Sequence, residues 1–331
     1  MVTGSYPPDT CGVGDYTHQL KKELINQNCS VRVFTQREWG LKNLLPIIRK
    51  ICLENKDIIH IQYPTVGYKY SLIPQLLSVL NNSIVTIHEV SQSHILRKIS
   101  LYPFFLFANH LIFTSEYELN YALKLAPWIR KKASVIRIGS NIPKCNVSFD
   151  KDNEVIYFGI IRPNKGIEEV FELAKILKNH CSSGLKIRII GKVEERYEKY
   201  FLNLKEKSSD LPIKWSIGLP ENEVTILLKK ALFAYLPFPD GASERRGSLL
   251  ATLLNGVPTI TTFGKYTTKD LMDAVEIANC PEEAFRKIVD IKKNFGKYYE
   301  LVEKGLVYSS KFTWNHIAME HIKVYKNLLS Y

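Results

Sequence analysis

The sequence predicts an α/β protein made of two doubly wound parallel-sheet domains, and three observations carry that expectation. The chain has 331 residues, about twice a typical domain of ~150. Short β-branched runs alternate with amphipathic helical stretches along its length, the pattern of a parallel sheet covered on both faces. The alternation pauses once, at a polar stretch over 146–153, and then restarts. The expected division is therefore 1–150 and 151–312. Open parallel sheets bind ligands outside the carboxyl ends of their strands. Two such sheets placed face to face make a deep inter-domain cleft, where the site is expected.

In the first half, 1–3 is a stub of an apolar strand. A core strand needs about five residues, so the natural start is expected upstream of Met1. A loop with Gly12 and Gly14 leads into a helix through Tyr16, Leu20 and Leu24. Strands follow at 31–35, 57–64, 83–90, 110–115 and 134–139, with helices at 41–55 and around 71–81. The second half reads as strands at 154–160, 185–191, 213–219, 233–238 and 258–262, with helices at 166–180, 221–231 and 248–256. The final helix, 314–329, spaces Trp314, Ile317, His321, Val324 and Leu328 three or four residues apart. That apolar stripe needs a surface to cover, and segment 313–331 is expected to cross back to the first domain.

Composition narrows the class. Hydrophobic residues at 45% and charged residues at 24% exclude a disordered or fibrous chain. No apolar run approaches the ~18–20 residues of a membrane-spanning helix, and the start lacks the features of an export signal. Six scattered cysteines form no C-x-x-C pair and no zinc spacing, so reduced thiols in the cytoplasm and no metal are expected. The net charge is +12, with 17 basic and 10 acidic residues in 1–150 and 28 against 23 in the remainder. A spread excess of this kind suits a phosphorylated ligand or an acidic membrane surface. Nucleic acid fits least, because there is no basic arm, zinc finger or aromatic RNA-binding signature.

Three loops at expected strand ends carry candidate chemistry. After strand 233–238 the chain passes Glu244, Arg245 and Arg246 and enters a helix at Gly247 and Ser248. A helix start with two guanidinium groups beside it suits a phosphate. Ser248 reads either as the helix cap or as a ligand contact. After Gly159, which ends its strand, Arg162 and Lys165 precede a helix beginning near Gly166. Together these cations can neutralise a leaving diphosphate. In the loop 7–16, Gly12 and Gly14 lack the third glycine and downstream acid of a dinucleotide fingerprint. Asp15 there reads equally as a helix cap or as a hydroxyl-binding group. Tyr16, Glu116 and Tyr117 are further cleft candidates. His88, at the carboxyl end of 83–90, is balanced between core and catalysis, whereas His60, mid-strand, reads as structural.

Taken together, these motifs resemble the family 4 retaining glycosyltransferases of GT-B fold found in bacterial polysaccharide and O-antigen gene clusters. The resemblance rests on GSYPPDTCGVGDYTHQL, DIIHIQYP, TIHEV, FTSEYE, VIRIGSNIP, YFGIIRPNKGIEE, RRGSLLATLLNGVPTITT and FTWNHIAMEHIKVYKNLL, in the family's order from residue 3 to residue 329. It implies two Rossmann-like domains facing across a cleft, with a nucleotide-sugar donor on the second and a saccharide acceptor on the first. It also implies a metal-independent, retaining transfer with no cofactor beyond the nucleotide sugar. Arg162 and Lys165 fall on the family's diphosphate-binding pair, His88 on the histidine that contacts the donor sugar, and Gly12 and Gly14 on the loop under the donor phosphates. The family's two glutamates, eight positions apart, are replaced here by Ser243 and Ala251. The resemblance therefore leaves Glu244, Arg245 and Ser248 to take over ribose and sugar contacts in an RRGSLL-type loop.

Two other classes share the architecture: a nucleotide-sugar 2-epimerase, which needs acid/base carboxylates in its cleft, and a non-enzymatic two-domain solute-binding protein, which needs export. The stretch 94–113 combines Arg97 and Lys98 with Tyr102, Phe104, Phe105 and Phe107, and Trp128 follows among Lys124, Arg130, Lys131 and Lys132. Two readings stand: a peripheral contact with an anionic bilayer at the inner face of the cytoplasmic membrane, with a lipid-linked saccharide as the acceptor, or a buried helix with a solvated charge run.

Overall fold

The computed structural model describes residues 1–9, 11–51, 58–91, 93–148, 150–180 and 184–330. Thr10, Cys52, Cys181, the end of the helix expected at 41–55 and the start of the strand expected at 57 lie outside the described residues. The chain divides into two compact units, Met1–Gly139 with Phe312–Tyr331, and Ser140–Lys311.

The first unit holds a four-stranded parallel sheet in the order β1 (Ile59–Tyr63), β2 (Ser83–Ile87), β3 (His110–Phe113) and β4 (Ala133–Val135). The expected opening strand is a single bridging residue: Val2 pairs in parallel with both Ile61 and Phe34. The expected strand 31–35 likewise contributes only Phe34. The edge order is thus Phe34, Val2, β1, β2, β3, β4, and the winding reverses between Val2 and β1. Every residue of β1 and β2 is buried because both faces are covered. Ile59, Ile61, Tyr63, Val85 and Ile87 face one core, which Ile47 of α2 (Leu44–Ile51), α3 (Ile73–Leu77), and Phe104 and Phe105 of α5 (Tyr102–Phe107) complete. Ile84 and Ile112 face the other, against Tyr16, Leu20 and Leu24 of α1 (Gly12–Asn26) and Ile317 and Ala318 of the last helix, Trp314–Leu329. Short α4 (Ile95–Ser100) precedes α5, and α6 (Glu116–Leu125) follows β3.

The second unit holds six parallel strands: β5 (Asp152–Ile161), β6 (Lys186–Val193), β7 (Ile213–Ile217), β8 (Ala231–Leu236), β9 (Thr259–Thr261) and β10 (Glu276–Ile277). Their order is β10-β9-β8-β5-β6-β7, so the winding reverses between β5 and β8. Helix α7 (Ile167–Asn179) buries Ile167, Val170, Phe171, Leu173, Ala174 and Leu177, one stripe at three-to-four spacing. The remaining helices are α8 (Glu198–Lys207), α9 (Glu221–Lys230), α10 (Gly247–Leu254), α11 (Lys269–Ala274), α12 (Pro281–Lys293) and α13 (Phe295–Ser310), with α14 being the terminal Trp314–Leu329. Cys11, Cys29, Cys145 and Cys280 are free thiols.

Candidate active site

The second unit's strand reversal brings two loops together at the carboxyl ends of β5 and β8, the place where doubly wound sheets bind ligands. β5 runs two residues past Gly159, so Gly159 lies inside the strand rather than at its end. Its carbonyl approaches Gly191 of β6 so closely that a Cβ there would sit 2.0 Å from the oxygen. Arg162 and Lys165 follow. Gly166 then caps α7 at φ +79°, and a Cβ on it would lie 1.8 Å from the Pro237 carbonyl oxygen. Only glycine permits that approach, and it locks the Arg162–Lys165 turn onto the end of β8. The Tyr157 hydroxyl, donating to the Lys165 carbonyl at 3.0 Å, holds the same turn from below.

From the β8 side comes Arg246. Its guanidinium is paired with Asp240 and lies over the Phe238 ring, 4.8 Å from the centroid. Its buried Nε has no hydrogen-bond partner among the described residues. Arg246 is also the residue that precedes α10, so the cap is Arg246 and Ser248 sits inside the first turn. No side chain caps that end, which leaves its backbone N–H groups directed outward for a ligand. Glu244 and Arg245 lie on the loop beside it, Arg245 exposed. Ala251 is fully buried in α10 and Ser243 nearly so. Arg162 reaches Glu194 at 3.8 Å. Lys165 is held below the usual lysine range by burial and by the positive charges of Arg162 and Arg246, with Asp240 and Glu194 opposing. Three cations thus feel one another at one sheet edge, held by two carboxylates, which is an arrangement that a diphosphate relieves.

The first unit gathers a different set. His88 directly follows β2 and is 8% exposed. Its Nε2 hydrogen bonds Gln62 Oε1 at 3.0 Å, and the Gln62 amide meets His60 Nε2 at 3.1 Å. His60 bonds Thr86 and Tyr325, each at 2.7 Å. Tyr16 packs edge-on to His88 and bonds His321 Nε2 at 3.3 Å. Burial lowers the His88 pKa to about 3 and that of His321 to about 4, and takes His60 well below its ordinary value. Burial thus favours the neutral imidazole at His88.

Several expected roles change on this side. Gly12 and Gly14 are the first turn of α1 and not a loop before it. Gly14 is needed because a Cβ there would lie 2.9 Å from the Ser5 carbonyl oxygen. Cys11 precedes the helix, so Asp15 is not its cap and remains exposed in the first turn. Tyr16 is buried within the unit, 3% exposed. Glu116 is exposed at the start of α6, and Glu118, two residues on, carries the structural role. Fully buried, Glu118 accepts from Val90 N at 2.8 Å, Ser91 N at 2.9 Å and Ser91 Oγ at 2.7 Å, fixing the loop after His88. The signal was in the sequence: Ser115 and Glu118 have the spacing of a capping box, and Ser115 does cap α6.

The basic-aromatic segment divides between its two readings. Phe104 and Phe105 are core, and Lys132 is spent on the Leu106 and Ala108 carbonyls at the end of α5. Ile95, Leu96, Ile99, Leu106, Phe107 and Trp128 are each more than half exposed. No helix among the described residues is long and apolar enough to cross a membrane.

No family model and no curated protein matches the chain. Solved structures do. The chain is similar to Anabaena HepE, crystallised with UDP and glucose, at 15% identity and TM-score 0.64 over 98% of both chains. It is similar to WaaG, a glycosyltransferase involved in lipopolysaccharide biosynthesis, at 11% identity and TM-score 0.58 over 98% of this chain and 97% of that one. A chain of the GtfA/B complex matches at 9% identity and TM-score 0.65; it covers 88% of this chain, which spans only 61% of that one. The two parallel-sheet units are those of the GT-B glycosyltransferase fold.

Proposed function

We propose that the protein is a retaining glycosyltransferase that moves a sugar from a nucleotide-diphosphate donor to a hydroxyl of a lipid-linked saccharide during surface polysaccharide synthesis. The observation that carries this reading is the meeting of Lys165, Arg162 and Arg246 at the β5/β8 reversal, beside the uncapped start of α10. In this reading the diphosphate lies across those cations, and Glu194 and Asp240 release charge to it as it binds. As the bond from sugar to diphosphate lengthens, negative charge grows on the departing oxygen, and the fixed cations stabilise it with little reorganisation. The acceptor hydroxyl enters on the face the diphosphate leaves, which preserves the anomeric configuration. The cations supply the neutralising charge themselves, so the reading needs no metal. Gly159, Glu244, Arg245, Gly247 and Ser248 line the donor end.

The similarity to HepE with UDP and glucose and to a lipopolysaccharide glycosyltransferase supports a nucleotide sugar and a surface saccharide. The exposed apolar side chains of α4 and α5, next to Arg97, Arg130 and Lys131, support a peripheral contact with the anionic inner face of the cytoplasmic membrane. The test is release of nucleotide from a panel of UDP, GDP and ADP sugars, with and without lipid-linked saccharides, followed by analysis of the product's anomeric configuration. Acceptor-dependent release with retention is expected. An epimerised nucleotide sugar with no transfer would replace this reading with the epimerase, and binding without turnover would replace it with a binding protein.

A further inference from the structure

At the carboxyl edge of the first unit's sheet lies a hollow of about 540 Å³ that none of the residues discussed above explains. Its walls are the segment after Phe34, from Arg37 to Lys42, and the loop after β1, from Gly67 to Leu72. It therefore flanks the winding reversal between Val2 and β1, the position at which such sheets take ligands. The loop is built in place. Gly4 N donates to Thr65 Oγ1 at 3.1 Å and Gly67 N to Ser5 Oγ at 2.8 Å. A Cβ on Gly67 would lie 1.7 Å from the Gly4 carbonyl oxygen.

The chemistry of the walls has two parts. Trp39 and Tyr68 pack edge to face at 4.7 Å, and Leu41, Tyr70 and Leu72 stand exposed at the rim, Tyr70 completely. Tyr68 is 2% exposed, yet its hydroxyl has no hydrogen-bond partner among the described residues. The charged part is Arg37, Lys42 and Lys69 against a single carboxylate, Glu38, which lies 3.6 Å from Lys42. Lys69 holds φ +51°, a strained conformation for a residue with a side chain, and strain of this kind gathers at ligand sites. A purely apolar ligand leaves three cations without use, and a bare phosphate leaves the aromatic wall without use.

We propose that this hollow binds an anionic amphiphile, with an isoprenoid or acyl chain against the exposed Leu41, Tyr70 and Leu72 that border Trp39 and Tyr68, and its phosphate at Arg37, Lys42 and Lys69. The proposal deepens the reading given above and rests on it only in identifying this amphiphile with the lipid end of the acceptor. The test is calorimetric titration of the full chain with farnesyl phosphate below its aggregation limit, against farnesol, inorganic phosphate and phosphatidylglycerol vesicles. Saturable one-to-one binding of farnesyl phosphate is expected, at least about tenfold tighter than either farnesol or inorganic phosphate. Leu72→Asp and Lys69→Gly should each weaken it about tenfold. Lys69→Gly should at the same time hold or raise the melting temperature, since glycine relaxes the positive φ, and a merely structural lysine would leave binding untouched. No binding, binding indifferent to both variants, equal binding of inorganic phosphate, or binding of vesicles alone would each overturn the assignment. UDP titrated into the same preparation separates the two ideas. UDP binding without farnesyl phosphate binding removes the hollow and leaves the transferase reading; the reverse removes the transferase reading and leaves the hollow.

Discussion

Arg162, Lys165 and Arg246 stand or fall together, because each is placed by a different constraint and all three feel the same charge. Losing one contact to a developing anion costs roughly 2–4 kcal/mol of transition-state stabilisation, or about 10²–10³ in turnover. Arg162→Ala, Lys165→Ala and Arg246→Ala should each lower kcat by that factor with donor hydrolysis or transfer as the readout, while far-ultraviolet circular dichroism stays unchanged. Normal turnover in all three would remove the donor site. Gly166→Ala should fail differently. Its Cβ would collide with the Pro237 carbonyl oxygen at φ +79°, so thermal unfolding should show a loss of about 2 kcal/mol or more, with activity falling because the cation turn is displaced. The sequence places Arg162 and Lys165 between a strand and a helix, and they do stand between β5 and α7. What was not legible is which arginine turns inward. Arg245 and Arg246 are adjacent, and only the packing of Arg246 on Phe238 and its pairing with Asp240 separates them.

At the scale of elements, the β2 loop shows how a buried carboxylate sets a neighbour. Glu118 of α6 reaches across to the backbone after His88, so the rigidity of that loop is owed to a helix that begins beyond β3. Glu118→Ala leaves two backbone N–H groups and the Ser91 hydroxyl without their acceptor. At about 1–3 kcal/mol for each buried group left unsatisfied, this substitution should be among the most damaging in the unit. Denaturant unfolding should report a loss of about 2–4 kcal/mol, and an unchanged midpoint would remove this role. Elements with strong periodicity were read well: α7 and α14 lie within a residue or two of the expected 166–180 and 314–329. Elements held mainly by tertiary contacts were not. Val2 and Phe34 supply isolated bridges where strands were expected: Val2 is buried between Ile61 and Phe34 without a regular ladder, and Phe34, half-buried at the edge, pairs with Val2 alone. α11, α12 and α13 went unread because, after the last expected strand, their amphipathic stripes lacked a strand pattern to frame them.

For the whole molecule, the two units differ in how they answer acid. The first unit buries His60, His88 and His321 as neutral imidazoles, whereas the second contains one histidine, the exposed His180. Each buried imidazole has a folded pKa below the unfolded value near 6.5, with His88 at about 3 and His321 at about 4. Between those limits the unfolded chain binds more protons than the folded one, so stability is complete above pH 6.5 and is lost as pH falls toward the folded values. At pH 5 the loss is about 2 kcal/mol for each of His88 and His321, with His60 acting in the same direction, which is a large share of the stability of an ordinary domain. Hydrogen exchange followed by mass spectrometry on the full chain should therefore show protection failing first in Met1–Gly139 and the terminal helix as pH falls from 7 to 4. Ser140–Lys311 should remain protected through the same range. Gln62 makes the effect specific, since it holds the imidazoles of His60 and His88 in one hydrogen-bonded chain. Gln62→Leu should lower stability at pH 7, where that chain is intact, and change it less at pH 4.5. Simultaneous loss of protection in both units would show that acid acts on something other than these histidines.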